Sequence, residues 1–232
     1  MVRNNFHWKE THVTKIVITG MFLALALTIN FVGSRFFIVP FANFLRFDFS
    51  LVCILIIYLF VGRWYSFILA LCILLIAPSY SLLGYSPLSL LGNFALCLTQ
   101  LLFAIFFDIF HNLLWKSQKK QTDLKYCLII WTVLSLTIVL TSLAMTIINI
   151  VLIMPLYFYV LNLENHASFL TLASVWANKY SVLGFGIKNY YLATFTLYFT
   201  FNLLNLFING ILIWIVLQIN KKTKIIKNYR KN

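Results

Sequence analysis

The sequence predicts an all-α integral membrane protein of six transmembrane helices with both termini inside, and three observations predict it. Of 232 residues, 62% are hydrophobic and only 10% are charged, well outside the balance of a soluble domain. Several apolar runs approach the roughly 20 residues that cross a bilayer. The basic residues lie between and beyond these runs, where membrane topology places them. The net charge of +13 is therefore read as an orientation signal and not as a nucleic-acid footprint, and no nucleic-acid partner is expected. The lipid bilayer is the expected surroundings, in the cell membrane.

In chain order, residues 1–15 form a polar leader with Arg3, Lys9 and Lys15. The first span runs from Ile16 to about Gly33; it is full-length and lacks a small-residue cleavage site, so the N-terminus is expected to be retained. Gly20, Ala24 and Thr28 recur on it at i, i+4 and i+8, giving one small face that lets another helix approach closely. That face either packs inside the chain's own bundle or docks a partner. Residues 34–49 form a loop with Arg35, Arg46 and several aromatics, after which Asp48 and Ser50 read as caps for a second span, about Leu51 to Val61. Gly62-Arg63 makes a turn into the third span, Trp64 to about Ala77, which ends at Pro78.

A Ser/Tyr/Gly/Pro loop leads to the fourth span, about Ser89 to Leu114, with Asn93, Gln100 and Asp108. Lys116, Lys119, Lys120 and Lys125 follow it. The fifth span, about Tyr126 to Ile150, runs on through Pro155, where a helix too long for one straight crossing is expected to tilt or break. Residues 162–190 are a mixed extramembrane segment. The last span, about Tyr191 to Ile219, carries Asn202, Asn205 and Asn209, and residues 220–232 are a basic tail. Six crossings with the termini inside put 14 Lys and Arg residues on the cytoplasmic side against 4 outside, as the positive-inside rule asks. Residues 1–232 thus read as a single transmembrane domain with an outward-facing cup.

Chemistry within the chain is not expected. It has no phosphate-binding glycine loop, no H-E-x-x-H, and no Ser, His and Asp set placed to converge. His7, His12, His111 and His166 mostly flank spans. Cys53, Cys72, Cys97 and Cys127 lie in apolar runs without paired spacing, so they read as reduced, buried hydrophobes and neither disulfide nor metal site is implied. Asp108 is the one carboxylate the pattern puts inside a span, near its cytoplasmic end, where an interfacial role is expected. No catalytic residue, cofactor or metal is assigned, and the chain is not read as an enzyme.

Amides inside apolar helices are the remaining signal. Asn93, Asn149 and Asn202 lie on three spans, all in the outer halves. A carboxamide presents an acceptor and two donors, so it can pair edge-on with a neutral heterocycle while Phe, Tyr and Leu cover the ring faces. Helix-to-helix hydrogen bonding is the alternative for each.

Several segments resemble the substrate-binding S-components of energy-coupling factor (ECF) vitamin transporters, most closely the riboflavin-specific RibU type. Leu45-Arg-Phe-Asp48-Phe-Ser50 is similar to that family's L-x-L-D-F-S, with Gly62 at its F-G turn. Gly92-Asn93-Phe94 resembles its A-N-F, and Asn149 through Pro155-Leu-Tyr157 its N-x5-P-L-Y at the same spacing. Phe201-Asn202 falls at its P-F-N, and the face around Gly20 and Ala24 resembles its A-x-x-x-A docking surface. The resemblance implies an S-component-like bundle that captures riboflavin from outside. Asn149 and Asn202 would be the main ligand-binding amides, with Asn93, Asn205 and Tyr157 supporting and Leu45 to Phe47 covering the ligand. Gly20, Ala24 and Thr28 would dock a transmembrane coupling subunit, and ATP would be consumed by two ATPase subunits. The chain departs from the pattern at Asn205, where the family has lysine, and at Leu51, Cys53 and Thr200. These departures leave open another vitamin, such as folate, thiamin or a pyridoxal-type compound. A self-contained channel or small structural membrane protein is the reading outside this class.

Overall fold

The computed structural model describes residues 12–39, 42–81, 83–115 and 123–223. Most of the polar leader, most of the lysine cluster after the fourth span and most of the basic tail lie outside the described residues. Helices dominate because a backbone in lipid has to satisfy its own hydrogen bonds. They are α1 (His12–Phe36), α2 (Leu51–Phe60), α3 (Arg63–Ile76), α4 (Pro87–Trp115), α5 (Asp123–Ile148), α6 (Met154–Val160), α7 (Phe169–Lys179) and α8 (Tyr190–Thr223). Two short strands, β1 (Ile38–Val39) and β2 (Ala42–Arg46), pair antiparallel between α1 and α2. The protein is a multi-pass α-helical membrane protein by the length and composition of these helices: among the described residues, five helical stretches are long and apolar enough to cross a bilayer.

The predicted second span is not one of the five. α2 has 10 residues, about 15 Å of helix, which is half of a roughly 30 Å hydrocarbon layer. It is nonetheless the most enclosed helix, with Leu51, Cys53, Ile54, Leu55, Ile56, Ile57 and Tyr58 all buried. An apolar all-round helix buried in this way is a core element. One side of it joins Phe103, Phe107, Val133, Leu134, Leu206 and Ile213 of α4, α5 and α8. The other joins Ala26 of α1 and Leu69, Ala70 and Ile73 of α3.

The expected break at Pro155 does not occur. The chain stays helical from α5 to Val160 by widening into a π turn over Asn149–Ile153, where the Met154 N–H reaches the Asn149 carbonyl five residues back. In that ladder Pro155, having no N–H, leaves the Ile150 carbonyl unpaired. The Tyr190 hydroxyl of α8 donates to that carbonyl at 2.6 Å, so the proline is accommodated by a partner 40 residues from Ile150.

The outer segment expected to be mixed holds α7, whose Trp176 is fully buried against Phe158, Tyr180 and Tyr190 and donates its indole N–H to Ile187 O at 3.0 Å. Beside it the Tyr180 hydroxyl donates to Glu164 at 2.8 Å, and with Lys179 at 3.3 Å it holds that carboxyl below its ordinary range. Arg63, at the start of α3, pairs with Asp108 of α4.

Candidate functional site

The loop before α2 turns inward, and its sequence explains why the bundle tolerates it. Irregular backbone at membrane depth persists only where protein satisfies it. Asp48 N–H donates to Asn205 Oδ1 at 3.2 Å, and Asn209 Nδ2 donates to Asp48 O at 2.8 Å. Asn205 and Asn209 lie near the middle of the 34-residue α8, so the loop reaches mid-height before α2 begins. Gly33 on α1 lets it pass: a Cβ there would stand 2.7 Å from the Phe47 carbonyl oxygen.

The Asp48 side chain ties this point to three further elements. Its Oδ1 accepts from Asn30 Nδ2 at 2.8 Å, and its Oδ2 accepts from Ser50 N at 3.1 Å, from Ser50 Oγ, and from Gln100 Nε2 at 3.4 Å. Gln100 Nε2 also donates to Ser50 Oγ at 2.8 Å, and the Tyr80 hydroxyl donates to Asn30 Oδ1 at 2.7 Å. Asp48 is 6% exposed and Gln100 1%. This corrects two expectations. Ser50 makes no side-chain cap and sits in helical conformation; Asp48 does accept the Ser50 N–H two residues on, a cap-type bond at the entry to α2, but both residues are also the centre of a buried polar knot. A carboxylate does lie at mid-height of the bundle, beside Gln100 in the middle of α4; it arrives on a loop, where a search of the spans for charge does not find it.

The predicted ligand residues do not form one group: Asn205 lies in the knot, Asn93 bonds within its own helix, and Leu45 and Phe47 sit against the segments that carry Asn149 and Asn202. Leu45 and Phe47 pack with Ile150, Met154, Phe158 and Phe201, and the Phe47 and Phe201 rings stand 5.8 Å apart. The π turn carrying Asn149 packs on α8 and on α4. Asn149 and Asn202 are each 5% exposed, and the Asn202 Nδ2 is buried without a hydrogen-bond partner. Tyr157 reaches α4, since a methyl group at Gly92 would come within 2.9 Å of its hydroxyl. Asn93 is half-buried and donates to Ser89 O of its own helix at 2.8 Å. Asn205 belongs to the knot, committed to the Asp48 backbone.

An open apolar groove of about 430 Å³ runs outside this cluster, between Leu74 and Leu75 of α3, Leu90 and Phe94 of α4, and Leu156 and Val160 of α6. It contains none of the predicted amides. The small face of α1 is turned out: Gly20, Ala24 and Thr28 are exposed, and nothing stands within 4 Å of a Cβ placed at Gly20. Of the two readings of that face, packing within the chain's own bundle is the one the geometry removes. Among the described residues no cluster of three His, Cys, Asp or Glu side chains is placed to hold a metal.

The sequence pattern does not reveal Asn30, Gln100 and Asn209 as partners of Asp48, nor Tyr80 as the partner of Asn30. An amide in the middle of each of two spans was the available signal. No protein-family model matches the chain. It is similar to the uncharacterized protein MG350.1 homolog of Mycoplasma pneumoniae, 31% identical over 207 residues that cover 84% of this chain and 83% of that protein.

Proposed function

We propose a transport role from this premise: the chain belongs to the same family as the uncharacterized MG350.1 homolog of Mycoplasma pneumoniae, and its outer amide cluster is a binding site for a neutral heterocycle. In this reading it is the S-component of an ECF-type vitamin importer in the cell membrane, without an ATPase of its own. Riboflavin is captured from outside, and uptake is driven by a separate coupling subunit with two ATPases. The observation that carries the reading is the buried, unpartnered Asn202 Nδ2, on the helix that packs on the π turn holding Asn149 and next in sequence to Phe201, whose ring meets that of Phe47. A buried donor left unpaired costs on the order of 1–3 kcal/mol, which a ligand acceptor recovers.

Six crossings with both termini inside fit this reading even though α2 is short. The loop brings the chain to mid-height at Asp48, α2 covers the remaining half, and Arg63 then meets Asp108 at the far end of α4. α7 and the β hairpin would cover the site from outside.

The deciding measurement is ligand binding to the detergent-purified protein, followed by riboflavin fluorescence quenching and by any flavin absorbance that co-purifies. Sub-micromolar binding is expected, weakened at least about tenfold by Asn149→Ala through loss of an amide hydrogen bond. Absence of riboflavin binding in the wild type would sink the vitamin assignment. Stabilisation by folate, thiamin or a pyridoxal compound instead would keep the class and change the ligand.

Docking of the coupling subunit on the exposed small face has its own test. Gly20→Leu with Ala24→Leu should abolish co-purification with the coupling module and leave riboflavin affinity unchanged. Assembly that tolerates both bulky residues would refute the docking face.

A further inference from the structure

We propose that the Asp48 knot is a binding site for a small alkali cation, with Asp48 as its anionic ligand and the side-chain oxygens of Gln100 and Asn209 completing it. The inference does not rest on the vitamin reading, because every residue it uses lies below the outer cluster.

Charge is the first argument. The atoms that donate to the Asp48 carboxylate are two amide nitrogens, one backbone N–H and one hydroxyl, a set suited to the ionised form. Among the described residues no Lys, Arg or His side chain forms an ion pair with it. A buried carboxylate compensated by dipoles alone is costly in a low-dielectric interior, and groups of this kind inside a bundle are paired or bind ions.

Orphaned oxygens are the second argument, independent of the first. Gln100 Oε1 and Asn209 Oδ1 are buried and have no hydrogen-bond partner, in residues only 1% and 0% exposed. Their orientation is determined by chemistry. The Gln100 NH2 has to face the Asp48 carboxylate, and the Asn209 NH2 has to face the Asp48 and Asn205 carbonyls. Turning either amide over would set oxygen against oxygen. Both orphans are therefore acceptors, in side chains that already touch Asp48. On Asp48 itself, Oδ1 accepts one hydrogen bond, from Asn30, and keeps a second lone pair.

One carboxylate, two amide oxygens and no thiol or imidazole form a hard oxygen set, the kind that alkali and alkaline-earth ions take. A single negative charge balances a monovalent ion and not a divalent one. A proton is the competing occupant: on Oδ2 it would bond the Gln100 oxygen with that amide turned over, but it leaves Asn209 Oδ1 unmet.

The test uses the full-length, vitamin-free protein in neutral detergent. Thermal unfolding is compared in sodium chloride and in choline chloride at equal ionic strength, alongside equilibrium binding of radiolabelled sodium. Sodium should raise the unfolding midpoint saturably, with about one ion bound per chain. Asp48→Asn should abolish both effects. Should that variant not fold, Gln100→Leu, which keeps the carboxylate, should weaken sodium binding about tenfold. Equal midpoints in the two salts with no bound sodium would overturn the proposal. So would stabilisation by acid without a sodium response, or undiminished sodium binding in a folded Asp48→Asn or Gln100→Leu protein. Riboflavin plays no part in these measurements, so failure here and failure of the vitamin assignment are distinguishable.

Discussion

Asp48→Ala is expected to lower stability by about 3–5 kcal/mol, since it leaves the Asn30 amide, the Ser50 N–H and the Ser50 hydroxyl buried without their acceptor, at on the order of 1–3 kcal/mol each when not fully additive, while Gln100 keeps its bond to Ser50 Oγ. The loss should exceed that of any single substitution among the three donors, because each of those removes one bond and leaves the carboxylate the rest. Unfolding of the detergent-solubilised protein by added SDS would measure it. A change of under about 1 kcal/mol would mean that water, not protein, solvates the carboxylate. The substitution should also free the loop, because α2 is entered directly from the knot. Proteolysis between residues 37 and 50 should then become faster than in the wild type.

Gly33→Ala is the second large effect, and a paired substitution makes it interpretable. The new methyl group would stand 2.7 Å from the Phe47 carbonyl oxygen, closer than carbon and oxygen approach without a shift. Both contacting groups are backbone. Phe47 is held by its N–H to Phe37 O at 3.0 Å, and Asp48 by the amides of α8, so the loop yields only by losing those bonds. A cost of about 1–3 kcal/mol follows from this overpacking. Gly20→Ala, on the same helix, meets nothing within 4 Å and should be neutral or stabilising by up to about 1 kcal/mol, the helix propensity difference. Were the two glycines to respond alike in the same unfolding assay, the close approach of α1 to the loop would be wrong.

The candidate site was legible in the sequence to a limited extent, and particular residues show why. Asn149 and Asn202 stand out because amides are costly in an apolar helix, Tyr157 enters only through the family resemblance, and the fold packs Leu45 and Phe47 with Ile150 and Phe201, the sequence neighbours of the two amides. Asn205 joins the same group only through the resemblance, as the residue at the position of the family's lysine, three residues after Asn202. Three residues along a helix turn a side chain by about 300°, and they also carry it roughly 4.5 Å along the axis, enough to pass from the outer cluster to the knot. Pro155 reads as a break because the partner that removes its cost, Tyr190, lies 40 residues from the Ile150 carbonyl it caps.

The sequence by itself determined the class and nearly all the helices. An apolar run in lipid has one way to satisfy its backbone, so hydrophobicity and length suffice to locate α1, α3, α4, α5 and α8. The tertiary structure alone decided how deep the loop before α2 enters, that a charge lies at mid-height, and that the small face of α1 points outward. The reason is separation: the bonds that hold Asp48 in place span 157 and 161 residues, and local pattern carries no record of contacts so far apart.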